Sequence, residues 1–241
     1  MTAEGSGSSI KRTARIAGLF YLAHFVTFFI AENGVHPTAV GSMDVAATAQ
    51  GIAASEGLFR AGFVSFLLTA LFFFLAAWVL YVVLKPVNKD LALLFLLLNL
   101  GGVAIWYGSQ VFEFAALLLV DGAETLSDIQ ADQRQALAML FLSLFQTGFM
   151  VANLILNLWL FPLGYLVFKS GYLPRVLGIL LLLDGFAMFV WFFQFFFFPN
   201  YELVGSVCLG VGFVAEGLFC LWLIIKGVNV ERWKERALGV S

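Results

Sequence analysis

The stretch VLGILLLLDGFAMFVWFFQFFFF, residues 176–198, decides the fold of this chain. It carries a single charged side chain, Asp184, and it is long enough to cross a bilayer core, which takes roughly 20 apolar helical residues. Five similar runs occur elsewhere, and all are continuous rather than alternating, so they predict spanning helices and not barrel strands. In approximate bounds the six runs are 14–31, 59–84, 91–120, 136–168, 176–198 and 203–225.

The composition agrees with a membrane protein. The hydrophobic fraction is 62% and the charged fraction 12%, against about 25% charged in an average soluble domain. We therefore predict an all-α polytopic membrane protein with six transmembrane helices. The predicted organisation is a disordered Gly/Ser-rich tail at 1–10, a six-helix bundle at 11–229 and a cytoplasmic tail at 230–241. The net charge of −2 excludes a strongly basic nucleic-acid binder.

The basic residues predict the orientation. The outward flanks carry only Arg60 and Arg134, and the other eleven Lys and Arg residues alternate onto the opposite side. The positive-inside rule then places both termini in the cytoplasm. The first run resembles a signal peptide, but five further spans favour a retained helix. The longest outer loop, 32–58, is Ala-rich and favours a surface helix.

Two local features refine the helices. Pro162 lies inside the fourth run, where it is expected to kink the helix or to loosen the hydrogen bond one turn earlier. Cys208 and Cys220 lie about 18 Å apart along one helix. They cannot form a disulfide with each other, because the Cα atoms of a disulfide must approach within about 7 Å.

Polar side chains form a layer near the predicted midplane. Ionisable groups there cost about 2.5–3.5 kcal/mol on insertion scales, so they are expected to face the bundle interior. This layer is the candidate site for a ligand or ion, with an outward-opening cavity above it. Its members are His24, Asn99, Asn153, Asn157, Asp184 and Glu216.

A second polar set lies nearer the outside and forms the predicted outer vestibule. An ion pair between Arg60 and Glu113 would neutralise both charges. The alternative interpretation of the amides in both sets is interhelical hydrogen bonding, worth roughly 0.6–2 kcal/mol each. For Asp184 and Glu216 a functional role is favoured. The outer set consists of Arg60, Gln110, Glu113, Gln146 and Gln194.

Catalytic and metal signatures are missing from the sequence. The chain has no His-Glu-x-x-His, Gly-x-Ser-x-Gly or phosphate-binding Gly-x-x-x-x-Gly-Lys pattern. Two histidines, His24 and His36, exclude a His-rich metal site. We predict no cofactor and no metal, and an enzymatic role is not favoured.

Several motifs together resemble a known family. They are KRTARIAGLFYLAHF at 11–25, LKPVNKDLALL around Pro86, FKSGYLPRVLGILL at 168–181, PNY at 199–201 and the closing E-x3-CLWLIIKGVN at 216–229. In this order they resemble the bacterial and archaeal six-span membrane family catalogued as domain of unknown function 4386. The resemblance implies six helices in a prokaryotic cytoplasmic (inner) membrane, and Glu216 lies inside one of its motifs. It implies no activity.

Three functions are compatible with these observations. The leading hypothesis is small-ligand or ion binding, as in a transporter or channel subunit, through the polar cavity. The second is an accessory or assembly subunit of a membrane complex, with membrane lipid and a homo-oligomer or complex partner in contact. The third is an intramembrane enzyme acting on a lipid.

Overall fold

The computed structural model describes residues 3–39, 56–121 and 128–239. Within these ranges the chain is α-helical and contains no strand, which confirms the predicted all-α class. The helices in chain order are α1 (Ala3–Ala39), α2 (Glu56–Leu84), α3 (Lys89–Asp121), α4 (Ala131–Leu158), α5 (Leu160–Ser170), α6 (Arg175–Phe197), α7 (Glu202–Ile225) and α8 (Val230–Ala237).

Six helical segments in the described part of the chain are long and apolar enough to span a membrane, as predicted. They are Ser9–Glu32, Gly57–Leu84, Lys89–Val120, Ala131–Ser170, Arg175–Phe197 and Glu202–Ile225. Helix α1 begins at Ala3, inside the segment assigned to the tail. Most of the predicted surface helix of the first outer loop lies outside the described residues. The cytoplasmic position of both termini stays a prediction.

The fourth span is interrupted where Pro162 requires it. Helix α4 ends at Leu158 and α5 begins at Leu160. Proline has no N–H, so Pro162 cannot donate to the Leu158 carbonyl as a helix requires. At the interruption the Trp159 amide donates to the Leu156 carbonyl at 3.1 Å, a tighter turn than an α-helix. The predicted kink is thus confirmed as a break between two helices.

The chain divides into two compact units. The larger unit comprises the described residues of Met1–Leu22, Phe72–Gly102 and Asn153–Ser241, and the smaller unit those of Ala23–Leu71 and Val103–Ala152. These boundaries fall within long helices. As a result, α1, α2 and α3 each contribute one part to each unit, and α4 contributes all but its last turns to the smaller unit.

An aromatic cluster forms the core of the larger unit. The Trp159 ring lies 4.8 Å from Phe73, 6.1 Å from Phe95 and 6.2 Å from Tyr21 between centroids. Tyr21 also meets Phe219 edge-on at 6.4 Å. All five side chains are buried. Because they come from α1, α2, α3, the α4–α5 break and α7, this cluster ties five segments together.

Close helix contacts and one end cap complete the larger unit. A Cβ at Gly178 on α6 would lie 2.7 Å from the Gly164 carbonyl oxygen of α5, so these two helices touch through backbone. At one end of the unit, the Tyr172 hydroxyl donates to the Val83 carbonyl at 2.8 Å, and Trp233 Nε1 donates to the same oxygen at 2.9 Å. Helix α8 is therefore held against the end of α2.

The smaller unit has its own apolar core. Phe66 on α2 is 6.2 Å from both Trp106 on α3 and Phe145 on α4, between ring centroids. Phe59 and Leu117 extend the core along the same helices, and both are almost fully buried. Aromatic packing of this kind adds about 0.5–1.5 kcal/mol per pair beyond area burial.

Candidate functional site

Asp184 lies at the contact between α6 and α7. Its side chain is 1% exposed, and neither carboxyl oxygen has a hydrogen-bond partner among the residues that the structure describes. A Cβ at Gly212 of α7 would lie only 2.8 Å from Asp184 Oδ1. Because glycine has no side chain, the Asp184 carboxyl group can lie against the backbone of α7 at Gly212.

Glu216 follows Gly212 by one turn on α7 and lies near Asp184, close enough for the two carboxyl groups to interact electrostatically. The Tyr21 hydroxyl of α1 lies near the Glu216 carboxyl group, within range of an electrostatic interaction. Stacking of the Tyr21 ring on Trp159 and its edge contact with Phe219 fix the position of that hydroxyl. The structure thus brings together an acidic pair, Asp184 and Glu216, with one phenolic donor.

The pair has a definite electrostatic character. Two ionised carboxylates at close range repel each other strongly where water is excluded. A shared proton or a bound cation removes that repulsion. In the described part of the chain no group of three or more His, Cys, Asp or Glu side chains is placed to hold a metal ion.

Cys220 lies one turn after Glu216 on α7 and joins this helix to α1. Its Sγ donates to the Gly18 carbonyl at 3.3 Å, which joins α7 to α1 next to Tyr21. A Cβ at Gly18 would lie 2.8 Å from Ile224 Cγ1, so the two helices are in close contact here. Cys208 and Cys220 are both free thiols, as predicted.

The three asparagines of the predicted layer lie elsewhere in the larger unit. Asn99 on α3 is fully buried, and neither of its amide atoms has a hydrogen-bond partner among the described residues. Asn157 precedes the α4–α5 break by one residue and is 8% exposed, and its Nδ2 is also without a described partner. Asn153, one turn earlier on α4, is only partly buried.

His24 belongs to the smaller unit, where it joins α1 to α2. Its Nδ1 donates to the Thr69 carbonyl at 3.1 Å, since a carbonyl can only accept. The Thr69 hydroxyl donates to the Thr27 hydroxyl at 2.9 Å, and Thr27 in turn donates to the Ala23 carbonyl at 2.8 Å. These bonds give His24 an interhelical role. Its membership of a site with Asp184 and Glu216 stays a prediction.

Glu113 is the buried acid of the smaller unit and is 1% exposed. In the amide orientation that gives both of its atoms a partner, Gln110 Nε2 donates to Glu113 Oε2 at 2.7 Å and Gln110 Oε1 accepts from Trp106 Nε1 at 3.3 Å. Arg60 is exposed. The Arg60–Glu113 ion pair stays a prediction, and Gln110 is the hydrogen-bonding neighbour that the structure identifies.

The other two residues of the predicted vestibule differ in burial. Gln146 is partly buried on α4. Gln194 is 8% exposed, and its Nε2 donates to the Phe198 carbonyl at 3.1 Å at the end of α6. It also lines a groove of about 390 Å³ between the ends of α6 and α7, together with Trp191, Glu202 and Ser206.

Sequence reasoning missed two residues of the acidic pair's surroundings. Tyr21 lies deep within the first run, far from the interfacial positions that tyrosine prefers, and a buried hydroxyl usually needs a partner. The unusual depth of Tyr21 within the span was therefore the signal that could have identified it as part of a polar site. Gly212 gave no signal of its own, because glycines at 205, 210 and 217 of the same helix look equivalent in the sequence.

Comparisons with known proteins extend over most of the chain. Residues 16–227 match the family described as Domain of unknown function (DUF4386). An uncharacterized protein of Archaeoglobus fulgidus is 28% identical over 150 residues, which cover 61% of this chain and 72% of that protein. No solved structure matches significantly. Since the family match covers far more than half of the chain, this six-span protein belongs to the DUF4386 family.

Proposed function

We propose that this protein binds a proton or a small monovalent cation inside the membrane, at the acidic pair formed by Asp184 and Glu216. The observation that carries the proposal is the Asp184 carboxyl group. It is 1% exposed, neither oxygen is hydrogen-bonded within the described structure, and a second carboxyl group is its electrostatic neighbour. An acid held in this way is unstable as an unpartnered anion.

The surroundings favour a small, positively charged ligand. The pair contributes carboxyl oxygens from two helices, and Tyr21 adds a phenolic oxygen that can donate to or accept from Glu216. The Asp184 carboxyl lies directly against α7 at Gly212, which leaves no space for a bulky molecule on that side. A proton or a monovalent cation fits these oxygens and neutralises their charge.

The proposal extends to location and to transport. We place the protein in the cytoplasmic membrane, with lipid around its apolar helices. Ionisable groups within spanning helices commonly mark the routes of ions and protons through transporters. Exchange of the proton or cation between the acidic pair and one side of the membrane would make the protein a transporter or a channel subunit.

The test is the dependence of thermal stability on pH and on Na⁺ for the full chain in detergent. A ligand that binds only the folded state raises Tm as its concentration rises. The wild type is expected to show such a rise with acid or with Na⁺ against choline at equal ionic strength. Asp184→Asn and Glu216→Gln are expected to weaken this dependence strongly.

Glu113→Gln is the matched control, because Glu113 is an equally buried acid in the smaller unit. It should keep the wild-type response to Na⁺, although any buried acid can contribute to the pH response. Size-exclusion profiles identify any variant that has lost its fold. If Asp184→Asn and Glu216→Gln both folded and kept the wild-type response to pH and to Na⁺, the acidic pair would be purely structural. Proteoliposomes loaded with a pH dye then test transport separately.

A further inference from the structure

Two buried asparagines near the break between α4 and α5 have polar atoms for which the acidic pair does not account. Within the described residues, three of their amide atoms lack hydrogen-bond partners: Asn99 Oδ1, Asn99 Nδ2 and Asn157 Nδ2. Both side chains are more than nine-tenths buried. Buried amide atoms without hydrogen-bond partners destabilise the folded state.

The packing of α3 against the break directs Asn99 toward it. Asn99 lies on α3 between Phe95 and Gly102, which share its helix face. The Phe95 ring is 6.1 Å from Trp159 between centroids, and a Cβ at Gly102 would clash with the Leu156 side chain. Asn99 therefore lies opposite residues 156–159, the segment in which the helix is interrupted.

The break itself adds an acceptor. Because Pro162 has no N–H, the Leu158 carbonyl has no donor at the position four residues later. Non-helical backbone at membrane depth occurs where protein groups, water or ions replace the lost hydrogen bonds. The break thus presents a carbonyl that lacks its usual helical donor, next to two asparagines with unpartnered amide atoms.

We propose that the α4–α5 break is a binding site for water, held by Asn99, Asn157 and the Leu158 carbonyl. Water is the ligand that suits the set, because each molecule donates two hydrogen bonds and accepts two. A cation would satisfy the two oxygens, but the amide hydrogens of both Nδ2 groups would oppose it. The bound water makes the break a hydrated hinge within the fourth span.

This site is independent of the proposed function, since neither Asp184 nor Glu216 takes part in it. The first test is hydrogen–deuterium exchange of the wild-type protein in lipid nanodiscs. A hydrated break predicts that the amides of residues 159–161 and of Leu163 exchange measurably faster than those of residues 181–188 in the unbroken helix α6. Equal protection of the two segments would overturn the proposal.

The second test is the sign of a change in Tm. In a dry site, Asn99→Leu replaces unpaired amide atoms by apolar ones and should raise Tm. In a hydrated site it removes a water ligand and should lower Tm, by about 2 °C or more for a chain of this size. Asn153→Leu is the matched control, because Asn153 is partly buried one turn from Asn157, and it should change Tm less.

A double-mutant cycle separates water loss from steric misfit. Pro162→Ala restores an N–H that can donate to the Leu158 carbonyl. In that background Asn99→Leu should lower Tm by less than half as much as in the wild type, because the carbonyl no longer needs water. An equal decrease in both backgrounds would assign the effect to packing and would contradict the proposal.

Discussion

At the scale of single residues, the acidic pair depends on one position without a side chain. Gly212 places the backbone of α7 against the Asp184 carboxyl group, with 2.8 Å between Oδ1 and the position that a Cβ would take. Gly210 and Gly217 lie on the same helix, and a Cβ at either would meet nothing within 4 Å. Gly212 thus differs from two other glycines of the same helix, at which an added methyl group would meet open space.

Gly212→Ala is expected to destabilise the protein and to displace Asp184. The added methyl group must move the carboxyl or separate α6 from α7, and strain of this kind costs about 1–3 kcal/mol. Thermal unfolding in detergent measures the change, and Tm should fall by several degrees. Gly217→Ala is the control and should be neutral or stabilising, since alanine favours helix by about 1 kcal/mol over glycine. Equal effects of the two substitutions would contradict this close contact.

Tyr172 provides a prediction outside the membrane spans. Burial raises the pKa of its hydroxyl well above the ordinary value, with a smaller opposing effect from Arg236. Because the folded-state pKa is raised, the contribution to stability is complete below about pH 10, the unfolded pKa, and is lost as pH rises above it.

Tyr172→Phe should therefore remove part of the alkaline loss of stability. The variant lacks the hydrogen bond to the Val83 carbonyl and should be less stable than the wild type at pH 8 by about 0.5–1.5 kcal/mol. The difference in Tm between the two proteins should shrink from pH 8 to pH 11. A constant difference over that range would show that the buried hydroxyl does not ionise with unfolding.

At the scale of elements, helix α8 shows how a short segment is held in place. Its N-cap is Asn229, whose Oδ1 accepts from the Arg232 amide at 3.1 Å. Its Trp233 Nε1 shares the Val83 carbonyl with Tyr172, and Arg232 donates to the Gly171 carbonyl at 3.1 Å. An isolated helix of this length is unstable in water, so these contacts decide whether it forms.

Trp233→Phe should loosen α8 while leaving the spans intact. The phenyl ring keeps most of the apolar contact but cannot donate to Val83, a loss of about 0.5–1.5 kcal/mol. Limited proteolysis of the C-terminal segment should be several-fold faster than in the wild type. Glu235→Gln changes an exposed residue of the same helix and should leave the cleavage rate unchanged. If both variants were cut at the wild-type rate, the Trp233 hydrogen bond would not hold α8.

At the scale of the whole molecule, the orientation in the membrane is open to a direct test. The distribution of Lys and Arg predicts that both termini lie in the cytoplasm. A fluorescent protein that folds only in the cytoplasm should be bright when fused after Ser241, and a periplasm-dependent phosphatase at the same point should be inactive. The opposite pair of results would reverse the topology.

The spans were predictable because a membrane core requires a long apolar helix, and such a helix appears in the sequence as one continuous apolar run. The break near Pro162 was predictable for the same kind of reason, since the missing N–H belongs to the residue itself. Asp184 and Glu216 were recognisable as candidates because carboxyl groups are rare within spans. Their pairing was less accessible, since depth along a helix does not say which way a side chain points.

The sequence by itself therefore determined the six apolar spans, the all-α class and the interruption of the fourth span, because each depends on local composition or on a single residue. Only the tertiary structure decided that Tyr21 lies near Glu216 and that Asp184 packs against the backbone at Gly212. It also decided that Asn99 faces the break at Trp159. These relations depend on helix rotation and on contacts between distant segments. Many rotations satisfy the same apolar pattern, and packing selects one of them.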